Sequence, residues 1–132
     1  MAKNLWGLRP PKSEPPTSPF AILKTQAEAL SSSVEYYVNG LVSGPRKRYD
    51  RQLECDLDIH ARDLDDYIVS VVTVVYPLSS YPCTIQDRIS GGPRIQCDDE
   101  KAFVAQLEKI LSSTRVQDTI YSLLAQVHQV RG

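Results

Sequence analysis

A chain of 132 residues, 42% hydrophobic and 23% charged, carries enough apolar material for one folded domain and has no room for a second. Its formal net charge of -1 gives no overall attraction to nucleic acid or anionic membrane, so any electrostatic function has to be local. The longest apolar run, residues 67–78, is interrupted by Ser70, Thr73 and Pro77 and falls short of the roughly 20 residues that span a bilayer; residues 1–6 lack the apolar stretch of a secretory signal, and the expectation is a cytoplasmic protein.

Residues 1–17 set Pro10, Pro11, Pro15 and Pro16 among Lys3, Arg9, Lys12 and Glu14, a composition that favours an extended, flexible arm over a packed one. Leu5, Trp6 and Leu8 are its large apolar residues, able to fold back on the domain or to dock elsewhere. Residues 18–132 are then expected to form a single α+β domain. Ser18-Pro19 supplies a helix cap followed by proline at the first helical position. Leu23, Ala27, Leu30, Val34, Val38 and Leu41, joined by Tyr37, recur at three- and four-residue steps, which predicts one long helix ended by Gly44-Pro45.

Strict alternation through Leu53-Glu54-Cys55-Asp56-Leu57-Asp58-Ile59-His60 predicts a strand with Glu54, Asp56, Asp58 and His60 on one face. Asp63, Asp65 and Asp66 suit a turn, and residues 67–76, almost all β-branched or aromatic, suit a strand buried on both faces. Residues 82–86 read as a third strand, and residues 94–97, beyond the Gly91-Gly92-Pro93 turn, as a fourth. Asp98 is placed to cap a helix with Asp99 and Glu100 in its first turn and Phe103, Val104, Leu107, Ile110 and Leu111 buried. Thr114-x-x-Gln117 has the spacing of a capping box before a last helix that buries Val116, Ile120, Leu123, Leu124 and Val127. The expected fold is an N-terminal helix, an antiparallel three- to four-stranded β-meander and two C-terminal helices packed on the sheet.

A hairpin turn centred on Asp63 and Leu64 sets His60 beside Tyr67, Asp58 beside Val69, Asp56 beside Val71 and Glu54 beside Thr73. Acids bordering apolar and aromatic groups make a surface suited to protein binding. The sequence therefore points to a non-catalytic protein-binding module. Its partner-binding residues are Glu54, Asp56, Asp58, His60, Asp63, Asp65, Asp66 and Tyr67, and its partner is a protein with a basic patch. An inhibitor of the immunity-protein or antitoxin kind, or an adaptor, fits that size and charge by analogy alone. The doubly apolar strand also allows a homodimer formed through the sheet.

The alternative is a small metal-dependent hydrolase using Asp56, Asp58 and His60, whose carboxylate and imidazole groups suit manganese, iron or zinc. Their spacing along a strand, about 6.5 to 7 Å between side chains two apart, is long for three ligands on one ion. Arg46, Lys47, Arg48 and Arg51 around Tyr49 form a basic cluster, but the acids that follow argue against nucleic acid and for local charge pairing. Three cysteines without a Cys-x-x-Cys spacing read as reduced thiols, Cys55 and Cys83 as small hydrophobes. Cys97 lies where a helix N-terminus could lower its pKa, with His60 and His128 the available bases. Ser90-Gly91-Gly92-Pro93 lacks the lysine and helix of a phosphate loop, Ser31-Ser32-Ser33 is no nucleophile elbow, and no residue pattern names a cofactor.

Overall fold

The first helix, α1 (Pro19–Ser33), begins as its sequence dictates: the Ser18 hydroxyl accepts from the Ala21 N–H, and Pro19 occupies the first turn. The computed structural model describes residues 5–10, 14–34 and 37–132; Lys3, Pro11 and Lys12 of the arm lie outside the described residues. Leu23 and Ala27 are buried on the sheet side of α1. The helix does not run to Gly44. Ser31, Ser32 and Ser33 each turn their hydroxyl back to the carbonyl four residues earlier (Ala27, Glu28 and Ala29, at 3.0, 3.0 and 2.6 Å), and Val34 is already extended.

The chain then forms a strand, β1 (Val38–Lys47), where the apolar periodicity predicts more helix. Val38 and Leu41 match the helical stripe by coincidence: Val38 is buried, whereas Leu41 is 41% exposed on the other face of the sheet. The alternation of Val38, Gly40 and Val42 is the one that counts, because those positions face α1. Gly40 is required there. A Cβ built on it would lie 2.6 Å from both the Cα and the O of Ala27, so α1 and β1 approach at a distance only glycine permits. Gly44, at φ +97°, sits at a register shift in β1 instead of ending a helix, and a Cβ there would meet the Glu54 carbonyl oxygen at 2.7 Å.

Four more strands follow: β2 (Leu53–Ala61), β3 (Tyr67–Tyr76), β4 (Cys83–Asp87) and β5 (Ile95–Cys97). Together with β1 they make one antiparallel sheet in sequential order, a meander with one strand more than expected. Two helices close the chain. In α2 (Glu100–Leu111) the cap is Asp99, whose carboxylate accepts from the Ala102 N–H at 2.8 Å, and not Asp98. In α3 (Thr114–Arg131) it is Ser113, one residue before the expected capping box.

All three helices bury apolar side chains in one core against one face of the sheet. Leu23 and Ala27 of α1, Phe103, Leu107 and Ile110 of α2, and Val116, Leu123 and Val127 of α3 meet Cys55, Leu57, Ile59, Val72, Val74 and Ile85 there. The start of α1 is tied down at both sides: the Thr17 N–H donates to Glu100 Oε1 at 2.7 Å, and Tyr81 donates its hydroxyl to the Thr17 carbonyl at 2.8 Å. No helix among the described residues is long and apolar enough to cross a membrane.

The β2–β3 register differs from the one expected. Ala61 pairs with Tyr67, His60 with Ile68 and Asp58 with Ser70; after a shift at Val71, Asp56 pairs with Thr73 and Glu54 with Val75. The turn holds five residues, 62–66, rather than an even number. Asp65 and Asp66 adopt left-handed φ of 57° and 55°, a conformation aspartate tolerates, while the Tyr67 N–H closes on the Leu64 carbonyl. Tyr67 consequently points to the helix side, away from the acids.

Candidate functional site

The acid-bearing face of β2 is the one opposite to that on which the helices bury their apolar side chains. Across β1, β2 and β3 it presents three rows: Asn39, His60 and Ile68; Leu41, Asp58 and Ser70; Ser43, Asp56 and Thr73. A fourth sets Arg46, Glu54, Val75 and Thr84 side by side. Leu41 and Ile68 are exposed, Ile68 to 53%, so the face combines charge with accessible apolar surface.

Charge on this face is largely met within the chain. Arg46 Nη2 lies 3.0 Å from Glu54 Oε2 and 2.8 Å from Asp56 Oδ2, and Arg48 Nη1 lies 3.2 Å from Glu54 Oε1. Arg46 of β1 and Arg48 just past its end are thus cations pairing with neighbouring acids; burial acts to lower both pKa values, but Asp56 and Glu54 raise that of Arg46, and Asp50 followed by Glu54 raises that of Arg48. Thr73 donates to Asp56 Oδ1 at 2.6 Å, and the Ser43 hydroxyl sits 3.3 Å from Asp56 Oδ2 and 3.4 Å from Asp58 Oδ2.

Asp58 stands apart. It is only 8% exposed, and its Oδ1 is buried without a hydrogen-bond partner among the described residues. Burial, and the Asp56 charge beside it, push its pKa up; Ser70, Ser43 and Arg46 pull the other way without cancelling that.

The remaining expected site residues separate into other roles. His60 Nε2 lies 2.9 Å from Asp66 Oδ1 across the turn. Asp63 holds Arg131 of α3 at 2.8 Å, and that guanidinium stacks 3.9 Å above the Tyr37 ring. Asp65 is exposed at the turn, and Tyr67 belongs to the opposite face. Glu54, Asp56, Asp58 and His60 thus share one face, Asp65 and Asp66 border its end, and Asp63 and Tyr67 do not contribute to it. Sequence reasoning missed Ser43, which lies on a strand read as helix, and set Thr73 on this face beside Glu54, whereas the register shift at Val71 brings it to Asp56. The local pairing of the basic cluster with the acids is found at Arg46 and Arg48.

Chemistry at other positions is limited by burial. Cys55 and Cys83 are pushed up to about 12 by desolvation, and Cys97, almost fully buried, is raised for the same reason instead of being lowered by the α2 N-terminus. All three thiols are free. Among the described residues no three histidine, cysteine or acidic side chains gather where they could hold a metal ion, so Asp56, Asp58 and His60 share a face without converging on one point. No protein-family model, no curated protein and no solved structure matches this chain.

Proposed function

We propose that the protein is a non-catalytic protein-binding module that docks a basic partner on its acid-bearing sheet face. The observation that carries this reading is the side-chain arrangement around Asp58. Asp56 and Asp58, two carboxylates one strand step apart, are offered a single arginine, Arg46, which also serves Glu54. A guanidinium or ammonium laid on the face by a partner would meet the part-exposed Asp56 and Glu54 carboxylates and free Arg46 to turn toward the buried Asp58, and Leu41 and Ile68 would flank it with apolar contact area. Asp65 and Asp66 extend the negative charge beyond the end of the strand. An inhibitor that masks a basic active surface and an adaptor that carries a basic protein would both use such a face.

The test compares proteins retained by the wild-type chain from an extract of its source with those retained by Leu41→Lys combined with Asp58→Asn. The reading expects a basic protein retained by the wild type, lost from the double variant, and lost from the wild type at high salt, since exposed charge contacts are screened. Identical sets retained by both chains would overturn it.

A further inference from the structure

Strand β3 is left half-paired. Its partner β4 covers only Val72–Val75, with one further bond from the Arg88 N–H to the Val71 carbonyl at 2.8 Å. Which backbone groups of the uncovered half face outward follows from the ladder. The Gly40 N–H points away from β2, to the Ser31 hydroxyl at 3.0 Å, so Ile59 opposite Gly40 turns its backbone groups toward β3, and Val69 opposite Ile59 turns its own toward β2. Ile68 and Ser70 therefore direct their N–H and C=O groups outward, where no described strand receives them. The other end of the sheet is handled differently: α1 seals β1 through the Ser31 bond and the close Gly40 contact, and Arg46 and Lys47 charge its far end.

Beneath the open β3 edge, between it and α3, runs a groove of about 460 Å³ lined by Leu64, Tyr67, Val69 and Leu123, with Asp118 on its wall. Asp118 is exposed and has no ion pair with a described residue. The same chain carries a segment of matching chemistry. Leu5, Trp6 and Leu8 are at least 83% exposed and followed by Arg9, in a five-residue stretch, Leu5-Trp6-Gly7-Leu8-Arg9, that contains no proline and has no helix or strand. None of these five residues lines the groove.

We propose that the arm segment Leu5 to Arg9 of a second copy adds to the open edge at Ile68 and Ser70, sets its apolar side chains toward the groove, and brings Arg9 to Asp118 on its wall. Exchange of the two arms closes a two-fold dimer in which each copy both gives and receives, leaving no edge to propagate. This goes beyond the sheet-face reading and does not depend on it, since the groove lies on the helix side.

Trp6 is the only tryptophan of the chain, so its emission reports the arm alone. As the full chain is concentrated from the micromolar to the millimolar range, the emission should move to shorter wavelength in step with a doubling of the mass measured by light scattering. Leu8→Asp, at an exposed position of the arm, and Asp118→Lys, on an exposed face of α3, should each move that transition to roughly tenfold higher concentration or beyond, the factor a lost buried leucine or a reversed charge implies, with unchanged circular dichroism. A blue-shifted emission that ignores concentration would give the groove to the chain's own arm and overturn exchange. So would a monomer with fixed emission throughout, or a dimer that both variants leave intact.

Discussion

Replacing Gly40 by alanine isolates the contact that sets α1 on the sheet. The new methyl carbon would sit 2.6 Å from Ala27 Cα and O and 2.9 Å from its carbonyl carbon, all backbone atoms that cannot swing aside. Unstrained carbon contacts lie near 3.5 to 4.0 Å, so α1 has to retreat by about 1 Å along its whole inner face. Leu23 and Ala27 then lose packing, which for an overfilled core costs about 1 to 3 kcal/mol. The Ser31 to Gly40 bond, 3.0 Å long, is stretched as well and adds about 1 kcal/mol. Against this, alanine lowers the entropy of the unfolded chain and returns about 0.5 to 1 kcal/mol. The net expectation is a loss of about 2 kcal/mol, equivalent to a melting temperature lower by about 8 °C for a domain of this size. Thermal and urea unfolding followed by circular dichroism measure it, with Ser31→Ala, expected to cost only about 1 kcal/mol, as the comparison. A Gly40→Ala variant that melts with the wild type or above it would show that α1 is not held by this close approach.

Other consequences are as direct. Because the folded-state pKa of Asp58 lies above its unfolded one, the native state holds a proton that the unfolded state releases, so stability falls as pH rises through the interval between the two; Asp58→Asn should be more stable than wild type at neutral pH and lack that slope, and urea midpoints measured across mildly acidic to neutral pH decide it. Arg46→Ala should cost up to about 1 kcal/mol at low salt and less at high salt, the mark of an exposed ion-pair network, and a salt-independent loss would mean its stem packs rather than pairs. Cys55, Cys83 and Cys97 should resist a thiol reagent in the native protein and react together on unfolding; rapid labelling of Cys97 alone would restore a reactive role for it. Adding manganese or zinc should leave the melting temperature unchanged, whereas a rise of several degrees would bring back a metal site at Asp56, Asp58 and His60.

Where a residue's role is fixed by its immediate neighbours, the sequence was readable. Ser18-Pro19 starts a helix whatever lies elsewhere, and the alternation from Leu53 to His60 makes a strand with one polar face. The misreadings arise where distant chain decides. Val34, Val38 and Leu41 satisfy a helical period, yet Gly40 and Val42 satisfy a strand period over the same residues, and only the docking of α1 on β1 selects between them. That one choice displaced Ser43, and with it the hydroxyl that sits between Asp56 and Asp58. The hairpin register failed for a different reason: two consecutive left-handed aspartates lengthen the turn, and the bulge at Val71 shifts the pairing again, so neighbours across the strands cannot be obtained by counting from a symmetric turn.

The clamp on Thr17, held by Glu100 on one side and Tyr81 on the other, gives the arm a fixed origin. From there to Leu8 the chain spans nine residues, no more than about 30 Å when fully drawn out. That length sets the radius within which the tip can act. Whatever the arm grasps must come within that radius of the α1–α2 corner. Lengthening this stretch by a few glycines would widen the radius and dilute the tip's effective concentration, and shortening it would place some surfaces out of reach altogether.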